Sequence, residues 1–197
     1  DPCSAPVTCD AAVRDAGPDA GATIKGPDAA ATDAAVSVGP CPQVQNCVPE
    51  AICTATGECE EACALGSATH RDGPIDYPDP PPAGGPHNGC WSAWGVHEAP
   101  VADENWVHNL EHGGVVLLYN CTAACADEIK SLGAFVEEHG MTLLTEYPDM
   151  TTRFAFVAWG YRLQSDTLDL DALLAFYTAH VAQAPESITR GPPAGCP

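Results

Sequence analysis

The chain has 197 residues, and 27 acidic residues stand against 7 basic ones, giving a net charge of −20. Such a surface repels phosphate backbones and anionic lipid heads, which excludes nucleic acid as a partner. No run of about 18 apolar residues occurs, so nothing in the chain reads as a transmembrane span.

Residues 1–40 read as an N-terminal segment and a disordered linker. The start at Asp1-Pro2-Cys3 looks processed. Cys3 either pairs with Cys9 or carries a lipid anchor. Repeats of Asp, Ala, Gly and Pro follow, with almost no apolar bulk, and cannot bury enough surface to offset their ordering entropy. Residues 41–66 read as a cysteine-rich module. Cys41, Cys47, Cys53, Cys59 and Cys63 recur with five, five, five and three residues between them. No Cys-x2-Cys knuckle is present, so disulfides rather than zinc are expected to hold it. Eleven cysteines in all point to an extracytoplasmic protein, secreted, periplasmic or surface-tethered.

Residues 67–197 supply the one sizeable core, expected to be an α/β domain. The apolar run 114–120 predicts a buried strand. A helix is predicted over about 126–139, with Ile129, Leu132, Phe135 and Val136 on its inner face and Gly140 as its stop. Strands are predicted at 141–147 and 153–159. A final helix is predicted over about 169–183, with Leu170, Leu173, Leu174, Tyr177 and Val181 inward. This order fits a small thioredoxin-like sheet or a related α/β sandwich.

The chemistry concentrates in His108-Asn109-Leu110-Glu111-His112-Gly113-Gly114. Residues four apart on a helical turn share a face, so His108 and His112 can aim at one ion. Glu111 would fix a histidine tautomer from the second layer. His87, in a Gly/Pro loop, and Met150, in a second rim loop, are the candidate completions. A lone histidine is more often a satisfied core group than a ligand, and a purely structural cluster is the competing reading. His108-x-x-Glu111-His112 also spells the inverted zinc-peptidase pattern, with Glu186 as a third ligand. The Gly-Gly break argues against it, because that pattern needs a long helix. Cys121 and Cys125 sit between the first strand and its helix, where a redox pair would gain from the helix N-terminus. His70 and His97 lie in irregular segments and are expected at the surface. His180 is expected at a rim.

The motifs around His87, Trp94-Gly95-Val96, 107–116, Tyr147-Pro148-Asp149-Met150 and Ala158-Trp159-Gly160 occur in the order of a known bacterial family. Over residues 75–183 the chain resembles domain of unknown function 3105. The resemblance implies an exported or membrane-tethered protein with motif positions at His87, His108, Glu111, His112 and Met150. It brings no reaction. Cys90, Cys121 and Cys125 fall outside that pattern and suggest local disulfides.

Together these features predict an exported metal-binding protein, copper ahead of zinc, that holds its ion rather than turning over a substrate. The alternatives are a thioredoxin-like thiol–disulfide or copper-delivery protein using Cys121 and Cys125, and a non-catalytic binding module without metal.

Overall fold

The computed structural model describes residues 47–121, 125–194 and 196, all within one compact unit. The linker expected over 1–40, with Cys3 and Cys9, lies outside the described residues. The α/β class expected from the sequence is present as a seven-stranded mixed sheet with three helices.

Strands β1 (Cys47–Cys53) and β2 (Cys59–Cys63) form an antiparallel hairpin. A Cys53–Cys59 disulfide closes its turn, and Cys63 is also disulfide-bonded. Gly57 takes φ +100°, a left-handed conformation that costs glycine little. The short β3 (Gly95–Val96) precedes helix α1 (Asp103–Glu111). Then come β4 (Val115–Tyr119), α2 (Ala126–Glu138), β5 (Thr142–Glu146), β6 (Phe154–Ala158), β7 (Tyr161–Ser165) and α3 (Leu170–His180). The sheet order is β1-β2-β7-β6-β4-β5-β3. β4 runs parallel to β5 and antiparallel to β6, and β5 runs parallel to β3. The cysteine-rich hairpin therefore extends the domain's own sheet, since β2 pairs antiparallel with β7.

Period-two alternation explains the layers. Val115 and Leu117 of β4 join Phe154 and Phe156 of β6 in a cluster with Leu132, Phe135 and Val136 of α2 and Leu173 and Phe176 of α3. Val116 and Leu118 join Ala155 and Val157 in a second cluster, with Trp106, Val107 and Leu110 of α1. Each fully buried large side chain adds roughly 1.5–3 kcal/mol by the water it sheds. α1 is thus pinned to a rigid sheet face, which fixes the polar side chains it carries on its other side.

Two inward assignments fail. Leu170 and Leu174 are 45% and 47% exposed, and α3 instead buries Ala172, Leu173, Phe176 and His180. His180 is no rim residue, because its Nε2 lies 2.8 Å from Glu60 Oε2 in the buried layer between α3 and β2. The hairpin is further held by Arg162. Its buried guanidinium donates to Glu61 at 2.9 Å and Asp79 at 3.0 Å, and to the carbonyls of Asp79 and Pro81. Among the described residues, no helix is long and apolar enough to cross a membrane.

Candidate metal centre

Helix α1 begins with Asp103 and Glu104 in its first turn, where carboxylates favour the exposed N–H groups. It ends at Glu111, with His112 as C-cap. Its last carbonyls are taken up by the C-terminal tail. Glu186 N–H donates to Glu111 O, Ile188 N–H to His112 O, and Ala182 N–H to Gly113 O. The two glycines are required by space. A Cβ on Gly114 would lie 2.5 Å from the Trp94 ring, and one on Gly113 2.8 Å from Ala182 Cα.

The loop before α1 brings the other imidazoles. Gly84 and Gly85 both take positive φ, at 142° and 114°, and turn the chain so that His87 is fully buried. His87 pairs by its backbone with the segment of His70: its N–H donates to Thr69 O, and its carbonyl accepts from Arg71 N–H at 2.8 Å. Asn109 clamps the same loop by exchanging two 2.9 Å hydrogen bonds with the backbone of Ser92. The Cys90–Cys196 disulfide staples the C-terminus to it.

Three imidazoles converge on one carboxylate. The Nε2 atoms of His87, His70 and His108 lie 3.0, 3.8 and 3.8 Å from Glu111 Oε2. One ligand atom from each of the four residues falls within 4.8 Å of every other. Two bonds of 2.0–2.1 Å at a tetrahedral ion separate donors by about 3.4 Å, so a contraction of at most about 1.4 Å between any two donors would close the shell.

The tautomers are set by the backbone. His87 Nδ1 lies 2.8 Å from Gly85 O, and His108 Nδ1 lies 2.6 Å from Asn88 O. A carbonyl only accepts, so both Nδ1 atoms carry hydrogen and both Nε2 lone pairs are left for the centre. Burial pushes the His108 imidazole down to about 3, helped by the neighbouring His87, His112 and His70 and opposed by the bond to Asn88. His108 is therefore neutral at ordinary pH. His87 Nε2 faces a carboxylate oxygen at 3.0 Å with its other nitrogen already committed as donor. Two lone pairs do not rest at that distance without a cation between them, either a proton or a metal ion. Imidazoles held at Nδ1 by carbonyls, with Nε2 turned inward, are how proteins orient metal-ligating histidines.

The sequence-predicted residues are distributed as follows. His87 and His108 are brought together, and Glu111 stands among them as a potential direct ligand rather than behind them. His112 is buried and its ring lies 4.5 Å from that of His108, but its Nδ1 faces Glu186 O at 3.3 Å. Its Nε2 has no hydrogen-bond partner among the described residues. Burial lowers its basicity too. Glu186 lies beside His112 rather than in the cluster, its carboxylate 3.8 Å from Nδ1. Met150 is buried in the apolar cluster that holds Trp106 and Tyr147. Cys121 and Cys125 form a disulfide with Cys125 as the N-cap of α2. His70 was missed as a candidate ligand. Its side chain is 59% exposed, as its segment suggested, yet the bridge to His87 swings it into the cluster.

Fold and cluster define an α/β protein that gathers three imidazoles and a carboxylate in an arrangement able to hold a metal ion. The chain belongs to a family described as Protein of unknown function (DUF3105), whose model matches residues 69–191 and so includes all four clustered residues. No curated protein and no solved structure matches the chain.

Proposed function

We propose that this is an extracytoplasmic metal-binding domain that holds one ion through His70, His87, His108 and Glu111. The carrying observation is the convergence of one ligand atom from each of the four residues within 4.8 Å of every other, with Nδ1 of His87 and of His108 committed to backbone carbonyls. A set of three nitrogens and one oxygen suits Cu(II) and zinc, and at such a site copper(II) binds more tightly than zinc. Copper is therefore placed first. The exposed His70 gives the ion a route to solvent, which suits holding and exchange. Export is supported by the Cys53–Cys59, Cys90–Cys196 and Cys121–Cys125 disulfides, which persist in oxidising compartments. Purified protein should take up about one equivalent of copper or zinc. His87→Ala and His108→Ala should each bring metal content to background. Uptake that survives both substitutions, or no uptake by the native chain, sinks the reading.

One observation favours a second reading. The Cys121–Cys125 disulfide sits at the start of α2, with Cys125 fully buried and Cys121 half-buried. A thiolate released there would be stabilised by the helix N-terminus. The succession β4–α2–β5–β6–β7–α3, with β4 parallel to β5 and β6 antiparallel to both β4 and β7, supports a thioredoxin-like relation and with it thiol–disulfide exchange or copper delivery. Mass spectrometry after mild reduction decides: a pair that stays oxidised ends this alternative.

A further inference from the structure

A cavity of about 650 Å³ opens beside the loop that carries His87. Its size falls within the roughly 300–1,000 Å³ usual for small-molecule sites. It shares a wall with the metal centre. Gly85, whose carbonyl holds His87 Nδ1, lines it, and so does Arg71, whose N–H donates to the His87 carbonyl. Leu65, Ile75 and several prolines make most of the remaining surface apolar. The Tyr77 hydroxyl is already donated to Pro86 O at 2.6 Å, so it stiffens the wall.

The charges decide what fits. Asp79, also in the wall, is engaged by Arg162 at 3.0 Å. Arg153 and Arg162 are each ion-paired, with Glu128 and with Glu61 and Asp79. The Arg71 guanidinium has no hydrogen bond or ion pair among the described residues. Asp76 lines the cavity as well, but is exposed and forms no ion pair with Arg71. A divalent ion among three neutral imidazoles and one carboxylate would give the centre next door a net charge of +1. Among the described residues Arg71 is thus the wall's one cation without an ion partner, beside Asp76 and the Arg162-paired Asp79, in a chain of net charge −20 whose distant charges are screened beyond about 8–10 Å at physiological salt. Guanidinium forks are shaped for carboxylates.

We infer that this cavity binds small apolar carboxylates, the carboxylate on Arg71 and the apolar body against Leu65 and Ile75. The contribution of the neighbouring ion rests on the metal reading above. The contribution of Arg71 does not.

The test is calorimetric titration of the full chain with benzoate, benzamide and benzylamine, first after chelation and then after zinc loading. In metal-free protein benzoate should bind at least tenfold more tightly than either analogue. Arg71→Gln should weaken benzoate at least tenfold, and Arg71→Lys should restore part of the loss. Arg71 is exposed, so an unchanged thermal midpoint will show that the variants fold. No benzoate binding, equal binding by Arg71→Gln, or benzylamine binding as tightly as benzoate overturns the inference. Zinc loading should tighten benzoate severalfold, and unchanged affinity in zinc-loaded protein overturns the coupling to the centre. A chain that takes up no zinc defeats the metal reading while leaving the metal-free result to stand.

Discussion

Replacing Glu111 by Gln should change the metal-free protein little and remove most of the stabilisation that metal confers. In the metal-free protein the carboxylate faces three Nε2 atoms at 3.0–3.8 Å, two of them on rings whose Nδ1 hydrogens are committed to backbone carbonyls. A glutamine amide has the same shape and can donate to His87 Nε2. A neutral hydrogen bond contributes about 0.5–1.5 kcal/mol and takes the place of the proton-bridged contact of the metal-free native chain, so metal-free Glu111→Gln should lie within about 2 kcal/mol of it in stability. With metal the loss is larger, because a charged ligand has been lost. Taking free metal at about 100 times its native Kd, binding stabilises the native chain by about 2.7 kcal/mol. For a domain of this size that corresponds to about 5–11 °C in Tm. If the substitution weakens affinity about a hundredfold, the top of the range for changes to groups that merely support ligands, the gain drops to about 0.4 kcal/mol, or about 1–2 °C. Thermal unfolding with and without zinc or copper measures both numbers. If metal-free Glu111→Gln unfolds more than about 2 kcal/mol more easily than the native chain, Glu111 is a structural partner of His87. If the full metal shift survives, the carboxylate is no ligand. Either result refutes the reasoning.

Metal-free protein should lose stability as pH falls from about 6.5 towards 3. His108 is neutral when folded down to about 3, whereas the unfolded chain takes the proton near 6.5, so the unfolded state binds more protons across that window and stability rises with pH. The contribution is on the order of a few kcal/mol, read from urea titrations at several pH values, and His108→Asn should flatten the profile. Gly114→Ala would set a Cβ 2.5–2.6 Å from the Trp94 ring and 2.9 Å from Asn109 O, costing about 1–3 kcal/mol in chemical denaturation. Arg162→Met should destabilise by about 2–3 kcal/mol, since it strips Glu61, Asp79 and two buried-side carbonyls of their donor; a change below about 0.5 kcal/mol would mean that the hairpin is held by backbone pairing alone.

The elements that read well are those whose burial is decided locally. β4, α2, β5 and β6 announce themselves by continuous apolar runs or a strong one-sided period, and their ends fall within about two residues of expectation. β7 (Tyr-Arg-Leu-Gln-Ser) hides because its arginine is buried only through partners at Glu61 and Asp79, far away in sequence. In α3 the leucines at 170, 173 and 174 are chemically alike, and only the position of the hairpin and sheet decides that Leu173 goes in while the other two stay out.

The site divides the same way. His108 and Glu111 share a turn, so their proximity was legible from spacing. His112 was expected to follow, but it is the residue after the last helical position, with φ −83° and ψ 11°, and the tail at Glu186 claims its Nδ1. Helical spacing does not govern a side chain past the helix end. His70 carried no local signal, because what makes it a candidate ligand is a parallel bridge to His87 seventeen positions on. The role of Glu111 turned on a still finer detail. Sequence alone offers a carboxylate near a histidine, which is commonly an orienting partner that accepts an N–H. Here two backbone carbonyls have taken that part for His87 and His108. With their N–H groups spent elsewhere, those rings turn only lone pairs towards Glu111, and a carboxylate among lone pairs is positioned as a fellow ligand of whatever cation joins them.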